Sequence, residues 1–223
     1  MRPDAYRERT LTAVLHRAAR SFSALVVTGP RQSGKTTLAQ RLFGSTHSYC
    51  SLDDPRIRAQ AQDDPGLLLT RFPPPVILDE IQYAPDLLHF VKGDIDRHRT
   101  ARGRYVVTGS QAFSLMQGVT ESLAGRAAIT SLLSLSLREV TGCPDLDRSW
   151  QDMLLSGASV FPGTTTAALL DQVFRGGYPE PALMPALDVH LWRSSYVQTY
   201  LERDVRSLRA VGDLGDFQRF LFA

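Results

Sequence analysis

The chain has 223 residues, 43% of them apolar, 22% charged and 9% aromatic, with 16 Gly and 13 Pro. This excludes collagen-like, low-complexity and disordered classes, and the length suffices for one domain with a substantial core plus an appendage. With 25 basic against 23 acidic side chains the formal net charge is +2, which by itself gives no argument for a polyanion partner.

Lys35 and Lys92 are the only lysines, so the basic side is almost all arginine. The longest apolar stretches, such as Ile129–Leu137, are interrupted by Ser131, Ser134 and Ser136, and none reaches the roughly 18–20 residues of a membrane span. The first residues are charged (Arg2, Asp4, Arg7, Glu8, Arg9) and lack the apolar run of a signal peptide. Cys50 and Cys143 are too few for a disulfide scaffold and too far apart for a metal knuckle. The expectation is a cytoplasmic protein with spectator thiols.

In chain order, the first predicted element is an amphipathic helix over residues 5–20, with Leu11, Val14, Leu15 and Ala18 on one face. Ala24–Thr28 is a short β-branched run that ends in a glycine-rich turn, the pattern of a strand buried on both faces. A helix follows over Lys35–Phe43, then a strand near Ser48–Leu52, a polar stretch rich in Asp, Gln and Pro, and a buried strand at Pro75–Asp79. Leu87, Leu88, Val91 and Ile95 give the next helix one apolar face; Tyr105–Thr108 is a further strand, and Ala127–Leu135 supplies another.

Strands separated by helices define βαβ units and a parallel, doubly wound sheet. The alternation stops near Val140, which divides the chain into a core over 1–140 and a smaller helical domain over 141–223. In the latter, Leu169, Leu170, Val173 and Phe174 mark one helix, and Val189, Trp192, Tyr196 and Tyr200 another. Residues 213–223 continue an apolar helical pattern with no cap or stop signal, so the chain is expected to be the front portion of a longer protein.

Gly29-Pro30-Arg31-Gln32-Ser33-Gly34-Lys35-Thr36 fits G-x-x-x-x-G-K-[ST] in full, between a predicted strand and a predicted helix. The glycines let successive N–H groups turn inward as an anion nest, and the helix dipole adds positive charge at the same point. Lys35 is placed to reach the β- and γ-phosphates and the Thr36 hydroxyl to ligate Mg²⁺; Thr37 completes the nucleotide-contacting run. Arg31 within the loop could join the phosphate contacts but reads more readily as a solvated or structural side chain.

Val76-Ile-Leu-Asp79-Glu80 is an apolar strand ending in two carboxylates, in the right order after that loop. Asp79 would hold the metal, directly or through water, and Glu80 would deprotonate the attacking water. A kinase keeps water away from the phosphate, so the second acid points to hydrolysis. Thr108 and Ser110, at the end of a further strand, could sense the γ-phosphate or simply cap the next helix. Arg126, beside the turn glycine Gly125, could stabilise charge on the transferring phosphate, in cis or across a subunit interface, or be a surface arginine.

GPRQSGKT, LDEIQYAPDLL, TGSQ, ESLAGR, GGYPEP and YLERDV follow in an order that resembles a broad prokaryotic family of AAA+-like ATPases, over about residues 24–208. Members of that family carry an ATPase core, a helical domain and a carboxy-terminal domain of uncharacterised function. The resemblance implies a P-loop fold of the additional-strand type, ATP rather than GTP, Mg²⁺, and the absence of most of the terminal domain from this chain. It also implies that Gly177 and Pro179, in Gly176-Gly177-Tyr178-Pro179-Glu180, touch the nucleotide and relay its state. Taken without it, that run is a helix stop and turn. Tyr200-Leu-Glu202-Arg203-Asp204 continues the helix bearing Trp192, its charges reading as a solvated face.

The leading expectation is thus an ATP-hydrolysing switch or remodelling subunit with an unidentified protein partner, possible as a homo-oligomer. One rival is a P-loop kinase, with Arg56, Arg58 and Arg71 offered as arginines of a mobile lid. Another is a nucleotide-gated binding module of negligible turnover, DNA-associated through Arg7, Arg9, Arg17 and Arg20 of the first helix. No N-K-x-D-type guanine reader and no L-S-G-G-Q-like run is present, which disfavours a GTPase and an ABC transporter ATPase.

Overall fold

The computed structural model describes residues 6–110, 122–142, 155 and 165–200. Among these, strands β1 (Ala24–Thr28), β2 (Ser48–Ser51), β3 (Val76–Asp79), β4 (Tyr105–Gly109) and β5 (Ala127–Ser131) form one sheet in the order β2-β3-β4-β1-β5. Every pairing is parallel, with Ala24 opposite both Tyr105 and Ala127. β4 therefore lies between β1 and β3, the additional-strand arrangement, and the carboxyl ends of all three open on one edge.

Alternating residues send the two faces of the sheet into separate cores, as the period of two requires. Ala24, Val26, Leu78 and Val107 pack with α3 (Pro55–Asp63), α4 (Pro65–Arg71) and α5 (Leu87–Arg97), which contribute Ala61, Leu68, Leu87, Leu88 and Val91. Leu25, Val27, Ile77 and Val106 face α1 (Leu11–Ser21) and α2 (Lys35–Phe43), meeting Leu15, Leu38 and Phe43. Each fully buried large aliphatic side chain contributes about 1.5–3 kcal/mol. Cys50 belongs to the first core, where burial pushes its thiol up to about 11, so it is inert.

The described chain continues through α6 (Leu137–Thr141), α7 (Thr166–Arg175), α8 (Pro179–Leu183) and α9 (Val189–Tyr200), a helical C-terminal region. Two elements differ from expectation. The first helix starts at Leu11 because Arg9 is drawn into the interior by hydrogen bonds to three other segments, so residues 6–9 run as irregular chain. The polar stretch after β2 is helical: Asp54 and Asp64 cap α3 and α4 by accepting from Arg56 N and Leu67 N, with Pro55 and Pro65 following each cap. That twice-repeated Asp-Pro pair is a helix-start signal, local to the sequence and independent of apolar periodicity. The predicted final strand stops at Ser131 rather than Leu135. The readings of residues 201–204 and 213–223, and Cys143, lie outside the described residues.

Candidate active site

The loop between β1 and α2 takes its shape from three left-handed residues: Gly29 at φ 146°, Gln32 at 59° and Gly34 at 93°. A Cβ on Gly29 would stand 2.2 Å from the Leu132 carbonyl oxygen, so only glycine lets β1 leave the sheet here. Lys35 is buried at the first turn of α2, and its ammonium donates to the carbonyls of Gly29 at 3.1 Å and Pro30 at 2.8 Å. Ser33 is fully buried and its hydroxyl finds no hydrogen-bond partner among the described residues, an orphaned donor inside an anion nest. Pro30, Arg31 and Gly34 are half-buried along the loop, and Thr37 is exposed.

Because β3 and β4 end beside this loop, their terminal side chains converge on it. The Thr36 hydroxyl lies 3.0 Å from both oxygens of Asp79. Asp79 also accepts from Tyr49 at 2.8 Å and from Thr108, so three hydroxyls from α2, β2 and β4 meet at the carboxylate that ends β3. Burial first, and then the neighbouring Asp79, push the Tyr49 hydroxyl up to about 12, which keeps it a donor. The set of one hydroxyl and one carboxylate suits Mg²⁺, which completes its shell with phosphates and water rather than with an all-protein cage.

Glu80 leaves the strand in the left-handed region, φ 58° and ψ 48°, strain that sets its carboxylate apart from that of Asp79. Its backbone N–H donates to Thr108 Oγ1 at 3.3 Å. The carboxylate accepts from Ser110 Oγ at 3.2 Å and from the Gln82 amide, which also reaches Ser110 at 3.2 Å. Thr108 and Ser110 thus each tie one carboxylate of the pair to the end of β4.

A second layer joins this edge to the C-terminal helices. Arg9, 5% exposed, donates to Ser33 O at 2.9 Å, Leu133 O at 2.7 Å and Glu139 at 3.2 Å. Gly177 O accepts from Leu135 N at 2.6 Å, and a Cβ there would stand 2.4 Å from the Leu135 carbonyl oxygen. Pro179 reaches Gly34: a Cβ on that glycine would lie 4.0 Å from the proline ring and 3.7 Å from Arg9. Pro179 therefore stands beside the loop at Gly34, and Gly177 packs on the segment Ser134–Leu135 that follows β5.

Other sequence expectations are corrected. Arg126 precedes β5, at the amino edge of the sheet, roughly 15 Å of strand away from the loop at about 3.3 Å per residue. Its guanidinium is held by Asp96 at 2.8 and 3.1 Å, so a role on its own chain's phosphates is excluded. Arg9 is interior and is not available to DNA. Arg58 lies 4.0 Å over the Tyr83 ring and donates to Leu52 O, and Arg71 donates to Gln60, so these arginines support α3 and α4 instead of a lid. The pattern reading did not single out Tyr49, Gln82 or the interior place of Arg9. Only Gln82, two residues beyond Glu80, lay where a local signal could have drawn attention to it.

The strand order, the glycine-rich loop after β1 and the acidic end of β3 define a P-loop ATPase fold of the AAA type. Residues 21–141, more than half of the chain, match the family described as an AAA domain, and the chain belongs to that family. Residues 166–223 match a domain of unknown function. Uncharacterized proteins of Mycobacterium bovis and Mycobacterium tuberculosis are each 32% identical over 202 residues, 90% of this chain and 40% of the relative. The chain thus spans well under half the length of these relatives. A Walker-type ATPase of Pyrococcus abyssi shares the fold at a TM-score of 0.54 and 14% identity, over 98% of this chain and 77% of that one. Among the described residues no helix is long and apolar enough to cross a membrane.

Proposed function

We propose that the chain binds Mg²⁺-ATP at the loop Gly29–Thr37 and hydrolyses it, and that nucleotide state is passed to the helical region through Gly177 and Pro179. The observation that carries this reading is the convergence of Thr36, Asp79, Thr108, Glu80 and Ser110 on the edge that holds the glycine-rich loop.

Lys35, now on the loop carbonyls, turns to the β- and γ-phosphates, and the orphaned Ser33 hydroxyl and the loop N–H groups take further phosphate oxygens. Thr36 and Asp79 would hold the metal, whose chemistry is to neutralise charge on the β- and γ-phosphates. Glu80 accepts a proton from the water that attacks the γ-phosphorus as the bond to the β-phosphate oxygen breaks, leaving ADP and phosphate. Ser110 and Gln82 orient Glu80. Pro179 and Arg9 flank Gly34, so a loop closed on phosphate and an empty one press differently on α8. A switch or remodelling subunit, acting on a protein partner, is the role this coupling suits.

The test is phosphate release from Mg²⁺-ATP by the purified chain with no acceptor present. Glu80→Gln should keep ATP binding and lose about 10²–10⁴-fold in kcat, whereas Lys35→Ala should lose binding. Equal loss of binding in both variants would overturn the role of Glu80. Turnover only with an added phosphate acceptor would favour a kinase.

A further inference from the structure

Parallel register puts the residues that precede β1, β4 and β5 in one row at the amino edge of the sheet: Ser23, Arg104 and Arg126. The turn after α1 and the loop before β4 are stitched there by Gly103 N to Phe22 O at 2.8 Å and Ser23 Oγ to Ala101 O at 2.8 Å. Between them and the end of α5 lies a cavity of about 350 Å³, lined among others by Phe22, Asp96, Arg99, Arg102 and Arg126.

The charge here is unlike that of the whole chain. Arg20 closes the last turn of α1 one residue before the cavity, Arg97 closes α5, and Arg104 stands beside them. With Arg99, Arg102 and Arg126 these make six guanidinium groups against Asp94 and Asp96, in a protein whose net charge is only +2. Asp94 is occupied by Arg104 at 2.7 Å and Asp96 by Arg126 at 2.8 Å. Arg126 beside Asp96, reinforced by Arg99 and Lys92, holds its carboxyl below the usual range. Arg20, Arg99 and Arg102 are exposed. Phe22, 38% exposed, lines the same cavity and places an aromatic ring among these cations.

Clustered guanidinium groups around an exposed aromatic ring are the chemistry that grips a single-stranded nucleic acid, phosphates on the cations and a base on the ring. We infer that the amino edge of the sheet, from Phe22 through Arg99 and Arg102 to Arg126, binds single-stranded nucleic acid on the side of the sheet remote from the glycine-rich loop. An acidic protein surface would match the charge but would leave Phe22 without a role. This inference is independent of the ATPase reading.

The experiment is fluorescence anisotropy of a labelled oligothymidylate of about 20 nucleotides against the whole chain, without ATP, over a range of salt. Saturable binding is expected, with Arg99→Glu/Arg102→Glu weakening it at least about tenfold and lowering the salt slope by about 1.4 for two lost phosphate contacts. Phe22→Ala should weaken it about tenfold through lost stacking, with the helical circular dichroism of all variants matching the parent. Arg56→Glu/Arg71→Glu, which changes net charge equally on α3 and α4, should bind as the parent does. Absence of binding, equal loss in the α3/α4 control, or displacement by polyglutamate as effective as by unlabelled oligonucleotide would each overturn the assignment.

Discussion

Arg9 donates to the carbonyl oxygen of Ser33 at 2.9 Å, so the segment before α1 is fastened to the middle of the glycine-rich loop. The same guanidinium pairs with Glu139 on α6, which is itself 3% exposed. One buried side chain thereby links the start of the described chain, the phosphate-binding loop and the helix that follows the sheet.

Arg9→Met removes the cation paired with the buried Glu139 and leaves the Ser33 carbonyl without this donor. Loss of one partner of a buried pair costs about 3–5 kcal/mol. Urea unfolding should show that loss, and titration with an ATP analogue below the unfolding transition should show weaker binding by the folded fraction. Unchanged analogue affinity would confine Arg9 to stability.

Glu139 also sets an acid limit. Burial raises its pKa, but N–H donors from Ser136 and Thr10 and the Arg9 charge outweigh that and hold it below the ordinary 4.5. A carboxyl depressed on folding contributes stability above its unfolded pKa and loses it as pH falls through the folded value. Stability should therefore decline as pH falls below the ordinary 4.5 and through the folded value, and Glu139→Gln should flatten that decline in urea titrations at stepped pH.

Two left-handed glycines separate strain from space. Among the described residues Gly125, at φ 73°, has nothing within 4 Å of an added Cβ, whereas Gly29, at φ 146°, would meet the Leu132 carbonyl. Gly125→Ala should cost about 1–2 kcal/mol for the conformation alone. Gly29→Ala adds a backbone collision that the strand pairing of β1 with β5 cannot relieve, and should cost more and abolish ATP binding. Chemical denaturation and analogue titration of the two variants check this ordering.

Gln82 anchors Glu80 together with Ser110, yet its own Oε1 is buried without a partner among the described residues. Gln82→Leu removes one of these two anchors and leaves Lys35 and Thr36 untouched. The expected result is ATP affinity within about twofold of the parent and kcat reduced roughly ten- to a hundredfold, the scale of a small misplacement of a catalytic group. Parallel loss of affinity and kcat would instead show a general disturbance of the loop.

The elements that were legible in the chain are those whose signal is local. The buried run Ala24–Thr28, the glycine-rich loop and the apolar strand ending in Asp79 and Glu80 declare themselves because strand period, left-handed turns and helix starts depend on neighbouring residues. The same holds for the pairs Asp54-Pro55 and Asp64-Pro65, whose capping chemistry is equally local. Arg9, Arg17 and Arg20 look alike in sequence, yet only the first is interior, because its surroundings come from residues 24 to 130 positions away.

Sequence by itself thus determined the glycine-rich loop and the pair of carboxylates Asp79 and Glu80, each on its predicted element. Tertiary structure alone decided which groups share an edge. Inserting β4 between β1 and β3 brings Thr108 and Ser110 to the carboxylates, and parallel register carries Arg126 to the far end with Phe22 and Arg99. Side-chain periodicity is set by the backbone within a few residues, whereas strand order is set by burying two faces of one sheet at once, a balance over the whole chain.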